Sequence, residues 1–160
     1  MGIQQRISRL AGIVLLLGLG LLHPDMARAA DSPASGIKWY SYQEGLALGK
    51  QENKKVFLTF YADWCSYCHK MDKESFRNPE IADYLRRHFI SVKANSDRET
   101  QLAQDFFVRG LPSSWFLSAK GEKIAGQPGY IPPKQLLQLL KFIQSDSYKD
   151  MSLKEFVQGN

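Results

Sequence analysis

Residues 55–70 read KVFLTFYADWCSYCHK, and this stretch decides the fold. Its first part, Lys55 to Tyr61, is a short run of apolar, aromatic and β-branched residues without polar alternation. Such a run predicts a central strand covered on both faces. Cys65 to Glu74 then continue as a predicted helix. Two cysteines three residues apart therefore stand where a buried strand turns into a helix.

That placement gives the pair a chemical role. The start of a helix carries partial positive charge and free backbone N–H groups, both of which favour a thiolate over a thiol. Cys65, at the helix start, is the expected nucleophile; Cys68, one turn further in and less exposed, is placed to attack a mixed disulfide formed at Cys65. No cofactor is needed. A structural disulfide works mainly by closing a long loop of the unfolded chain, and a bridge over three residues closes very little. A zinc site would need a second Cys or His pair, which His23 and His88 are badly placed to supply.

Outward from this centre, helix and strand alternate. On the N-terminal side, Ser41 to Asn53 have helical spacing, with Tyr42, Leu46 and Leu48 on one side, although Gly45 and Gly49 weaken the pattern. On the C-terminal side, Asn78 caps a helix with Pro79 at its first position and Ile81, Tyr84, Leu85 and His88 on one face. Phe89 to Asn95 alternate as a strand, and Glu99 to Phe107 form a helix ending before Gly110. Ser113 to Ser118 and Glu122 to Ala125 are strands joined through Ala119-Lys120-Gly121, a hairpin signal. Pro132 or Pro133 opens a last helix with an apolar stripe at Leu136, Leu139, Leu140 and Ile143, and Tyr148 to Val157 make an amphipathic tail. Trp39 and Trp115 read as packing residues. The order predicts an α/β fold with a mixed sheet and helices on both faces.

The first 29 residues have the pattern of a secretory signal. Arg6 and Arg9 precede an apolar run from Leu10 to Leu22, and Ala27-Arg28-Ala29 offers a cleavage site. A membrane span needs about 20 apolar residues, so an uncleaved anchor is the alternative to a cleaved leader. The short, Arg-led signal looks bacterial, which places the remainder, residues 30–160, in the periplasm as one domain. Three arginines and one aspartate leave with the leader, so the net charge of +5 falls to +3. With no basic block, this pattern gives no support to nucleic-acid binding.

Phe60-Tyr61-Ala62-Asp63-Trp64-Cys65-Ser66-Tyr67-Cys68 resembles the F-x-A-x-W-C-x-x-C site of the thioredoxin family. Further on, Gly110-Leu111-Pro112-Ser113 resembles that family's proline loop. The resemblance covers about Lys54 to Ile143. It is nearest to exported members, including the C-terminal domain of membrane disulfide reductases of the DsbD type, which share Y-A-D-W-C-x-x-C and G-L-P. What it implies is a thioredoxin fold and thiol-disulfide oxidoreductase activity, with Cys65 attacking and Cys68 resolving. Pro112 would be a cis-proline facing the pair, and the backbone of Leu111 would pair with a substrate strand. Trp64 would belong to the docking surface, and Lys93 would sit behind the site. The implied partners are proteins carrying disulfides or thiols, together with a membrane electron donor of the DsbD type. No dimerisation segment is visible, which points to a monomer.

One position departs from the family. The buried acid that thioredoxins hold six residues before the first cysteine is Thr59 here, so proton transfer at Cys68 must use another group or water; Asp72 is the candidate. The intervening Ser66-Tyr67 carries no charge, unlike the histidine of strong oxidants of the DsbA type, which predicts a reducing or isomerising role. Two other chemistries use the same residues. Cys65-x-x-Cys68-His69 also spells the attachment motif of c-type haem, and Cys65, Cys68, His69 and Met71 could together hold Cu(I) as soft ligands.

Overall fold

The structure, a computed structural model, describes residues 36–159; the leader and its cleavage site lie outside them. The sheet begins at β1 (Trp39–Tyr40), followed by α1 (Tyr42–Glu52) and β2 (Lys55–Tyr61). Helix α2 (Ser66–Met71) passes without a break into a π-helical turn (Asp72–Phe76), and α3 (Pro79–His88) leads into β3 (Phe89–Asn95). Then come α4 (Thr100–Asp105), β4 (Ser113–Leu117), β5 (Lys123–Pro128) and α5 (Pro133–Gln144), with a 3₁₀ turn (Ser147–Lys149) and α6 (Leu153–Gln158) at the end.

Among the described residues the strands form one sheet in the order β1-β3-β2-β4-β5. β1 and β2 run parallel to β3, whereas β4 is antiparallel to β2 and β5 to β4. β2 is thus the central strand, as its two-sided apolar run predicts. Phe57 faces one core with Met71, Phe76, Leu85 and Leu140, while Val56, Leu58 and Phe60 face the other with Val92 and Phe106. Alternate residues of one strand serve two cores because strand side chains point to opposite faces in turn.

The predicted elements are present; β5 runs on to Pro128 where the sequence reading ends it at Ala125, and three further differences stand out. β1 is absent from the sequence reading, because two residues carry no readable period; Trp39 packs edge-on against Phe76 at 5.0 Å between ring centroids, so it is an edge-strand residue that also packs. The helix after residue 99 is shorter than predicted, ending at Asp105. The redox helix does not stay α-helical to Glu74: it widens into the π turn at Asp72.

The glycines of α1, which weaken its helical pattern, are what let it lie close on the sheet. A Cβ on Gly45 would stand 2.1 Å from Val92 Cγ2, and one on Gly49 would stand 2.9 Å from Val56 Cγ2. Helix propensity is lost so that a helix can approach β3 more nearly than any side chain permits.

At the far end of β2, Lys55 Nζ donates to the carbonyl of Gln144 and pairs with Asp146 at 3.2 Å. Hydrogen bonds from Lys149 first, then from Lys55 and Tyr148, hold the Asp146 carboxyl below its ordinary range. A carboxyl depressed by folding stabilises the native state above its unfolded titration range and loses that contribution as pH falls through its folded value. Asp146→Asn, which keeps a side chain tolerant of the left-handed backbone here (φ 61°), is therefore expected to lower the melting temperature slightly at pH 7. The gap from the parent should close at strongly acidic pH; a gap independent of pH would show that the charge is not the cause.

Candidate active site

The redox pair is built by the turn from β2 into α2. Cys65 is the N-cap residue of α2, in extended backbone conformation, and its Sγ accepts from the Cys68 N–H at 3.1 Å. A sulfur thus takes the place that a serine or aspartate oxygen occupies at ordinary helix starts. The two sulfurs are joined, so this is the oxidised form. Both cysteines are nearly buried, each 4% exposed, so Cys68 is not the less exposed of the two as expected, because both pack under the Tyr61 and Leu111 side chains; what differs is that Cys65 alone holds the cap position. They pack with Ala62, Tyr61 and Leu111.

Leu111-Pro112 is a cis peptide bond, and Pro112 is buried. The loop reaches the pair through Leu111, and the Pro112 carbonyl accepts from Gly129 N–H at 2.8 Å. Trp64 is 72% exposed beside the pair, its indole N–H donating to Asp97 Oδ2 at 2.9 Å. Tyr67, between the cysteines, is 59% exposed.

Asp72 and Lys93 are brought together as a pair. Lys93 Nζ donates to both carboxylate oxygens of Asp72, at 2.7 and 2.8 Å, and lies over the ring of Tyr61. Asp72 closes the turn of α2 that begins at Cys68, its N–H bonding to the Cys68 carbonyl. Thr59 is buried on β2, in register with Lys93 on one side and Ser114 on the other. With a threonine there, the lysine finds its anion on the helix above the sheet instead of on the neighbouring strand. A cavity of about 840 Å³ opens beside Asp72 and Lys93, next to Trp39 and Phe76.

Two residues of the Cu(I) reading are engaged elsewhere. Met71 is fully buried in the core around Phe57, and His69 Nε2 lies 2.9 Å from the carbonyl oxygen of Asp63. Among the described residues no group of three or more His, Cys, Asp or Glu is arranged to hold a metal ion.

Several contributors escape a reading of the sequence. Asp63 pairs with Arg98 at 3.2 Å and Asn95 reaches its carboxylate, so the loop carrying the cysteines is tied to the loop after β3. On the opposite side, Ser75 Oγ donates to the buried carbonyl of Ile131 at 2.6 Å, and Tyr130 donates to Glu74. A clue exists in Asn95-Ser96-Asp97: polar residues at the C-terminal end of a parallel strand line the same rim as the residues that follow its neighbour.

The thioredoxin-like domain family matches residues 42–144, and the chain belongs to that family. It is a thioredoxin-like protein bearing the Cys-x-x-Cys pair of disulfide oxidoreductases. More particularly, it is similar to the thiol:disulfide interchange protein DsbD of Vibrio vulnificus, 37% identical over 86 residues, which are 52% of this chain and 14% of that protein. Spermatogenesis-associated protein 20 of Rattus norvegicus is 30% identical over 128 residues, 74% of this chain and 16% of that protein. The chain thus spans only a small part of these relatives. Among solved structures, a thioredoxin from Thermus thermophilus superposes with a TM-score of 0.63 at 26% identity, covering 68% of this chain and 87% of that one. A disulphide isomerase from Xylella fastidiosa gives 0.56 at 26%, covering 63% and 86%.

Proposed function

We propose that this protein reduces disulfides of other proteins outside the cytoplasm, with Cys65 as the attacking and Cys68 as the resolving thiol. The observation that carries the assignment of roles is the Cys68 N–H directed at Cys65 Sγ from the head of α2. In the reduced protein that N–H and the helix start favour negative charge on Cys65.

Cys65 thiolate attacks one sulfur of a substrate disulfide, forming a mixed disulfide and releasing the first substrate thiolate, which takes a proton. Cys68 loses its proton and attacks Cys65 Sγ, restoring the internal disulfide and releasing the second substrate thiolate. Two electrons pass from the pair to the substrate; because Cys65 starts as a thiolate, the pair gives up one proton, that of Cys68, and water supplies the other, so a reduced thiol donor must regenerate the protein. A membrane donor of the DsbD type fits an exported domain, and the leader pattern of residues 1–29 supports a periplasmic location.

Other residues take supporting roles in this proposal. Pro112 and Leu111 present backbone to the substrate segment, and Trp64, held by Asp97, forms a wall beside it. Asp72 passes the Cys68 proton to water in the adjoining cavity, with Lys93 setting the carboxylate's orientation. This replaces the acid missing at Thr59.

The reduced protein is expected to reduce insulin disulfides and to equilibrate with glutathione at a potential near that of thioredoxin, about −270 mV. A value near that of DsbA, about −120 mV, would overturn the reducing direction. In the same assay Asp72→Asn should slow insulin turnover at least about tenfold and alter its pH profile, as loss of a proton-transfer group does. An unchanged profile would assign Asp72 to the ion pair alone.

A further inference from the structure

Phe107 occupies a position that local physics assigns to glycine. α4 ends at Asp105, and Phe107 follows in the left-handed region at φ 53°, its N–H bonded to the Gln104 carbonyl while Val108 N–H bonds to Ala103. Helices commonly end on such a left-handed residue, and it is usually glycine because a Cβ is crowded there. The side chain is also 75% exposed, so burial in the domain does not offset the backbone cost. Strain combined with an exposed aromatic ring is retained where the ring has a task.

The ring stands at a cleft of about 340 Å³ that adjoins the proline loop. Its floor is the ring of Trp115, which lies so flat on β5 that a Cβ on Gly126 would meet three of its atoms at 3.0 Å. Phe107 and Pro128 line the cleft, as do Gly110 and Ser113, the residues on either side of Leu111-Pro112. Arg109 also lines it and, among the described residues, has no ion pair or hydrogen bond. Lys123 lies 5.5 Å from the Phe107 ring centroid and donates to the Asp105 carbonyl, while the Asp105 carboxylate is taken by Gln101. The unpaired charge at the cleft is therefore positive, above an aromatic floor.

We infer that this cleft is a specificity subsite for protein substrates, taking a large apolar side chain next to an acidic one in the extended segment that crosses the proline loop. The inference rests on the disulfide-exchange reading. The apolar side chain lies between Phe107 and Pro128 on Trp115, and the acidic one meets Arg109. The occupant is a polypeptide, because Gly110 and Ser113 of the cleft border Leu111-Pro112, over which the proposed function passes a substrate backbone toward Cys65.

The test uses two disulfide-linked peptides, identical except that one presents Asp-Phe and the other Ser-Ala beside the reactive cysteine, with glutathione disulfide as a third substrate. The reduced parent protein is expected to show about tenfold higher kcat/KM for the Asp-Phe peptide, the scale of a single well-placed anchor. Phe107→Asn, which tolerates left-handed backbone, and Arg109→Ser should each remove most of that preference while leaving the reaction with glutathione disulfide unchanged. Phe107→Asn should melt no lower than the parent, and Phe107→Tyr should retain the preference. Equal kcat/KM for both peptides in the parent, or a preference that survives both variants, overturns the subsite. Failure of the parent to reduce any of the three substrates would instead overturn the disulfide-exchange reading.

Discussion

Cys68→Ala, with Cys65 left in place, is expected to hold protein substrates as mixed disulfides and to lose about 100-fold or more in turnover. The magnitude follows from geometry. Cys68 lies one turn from Cys65 on the same helix, so as an attacking group its effective concentration far exceeds that of a millimolar external thiol. Without it the mixed disulfide waits for that external thiol. Cys65→Ser should trap nothing and reduce nothing, since Cys68 lacks the cap position. Mass spectrometry of the trapped species checks both outcomes; trapping on Cys68 in the Cys65→Ser protein would reverse the assigned roles. Neither variant should unfold the domain. The bridge closes a loop with a sequence separation of 3, for which the chain-entropy relation gives only about 2 kcal/mol. That is at the low end of what one buried leucine contributes. The two cores around Phe57 and Leu58 hold the fold in either redox state.

The second large effect is on stability and runs against helix propensity. Gly45→Ala should destabilise the protein by about 2 kcal/mol, although alanine favours a helix over glycine by about 1 kcal/mol. The new Cβ would lie 2.1 Å from Val92 Cγ2, well inside contact, so α1 or β3 must shift; overpacking of this kind costs typically about 1–3 kcal/mol and more where backbone moves. Steric cost therefore wins. Urea unfolding measures the loss, and the double variant Gly45→Ala with Val92→Ala should recover part of it relative to Val92→Ala alone, since the clashing methyl is then gone. A more stable Gly45→Ala protein would show that α1 does not lie this close to the sheet. At Gly110, by contrast, a Cβ would find nothing within 4 Å, so the same substitution meets open space.

The course of the chain is legible where local chemistry dominates. The run Lys55 to Tyr61 becomes the central strand, Asn78-Pro79 becomes a capped helix start, and the apolar stripe of Leu136, Leu139, Leu140 and Ile143 becomes the buried face of α5. Each rests on a period or a cap within a few residues. β1 is not legible, because two residues have no period and Trp39 and Tyr40 join the sheet only through pairing with β3. The π turn is not legible either: its Ser75 Oγ bonds to the Ile131 carbonyl, 56 residues away in the chain.

The cysteine pair shows the same division. Its spacing, its place between a buried strand and a helix, and the uncharged Ser66-Tyr67 follow from the sequence alone, because capping and thiolate stabilisation act over one helical turn. Which groups surround the pair is decided by tertiary structure. Lys93 lies 21 residues from Asp72 and Asp97 lies 33 from Trp64, and only the alignment of β2 with β3 brings each to its partner. Phe107 makes the point most sharply: in the sequence it is one more apolar residue of α4, and only the fold turns its backbone left-handed and its ring toward solvent. Local interactions thus determine where the Cys65-Cys68 pair stands, at the junction of strand and helix, while packing across the sheet determines which groups surround it and the surface beside it.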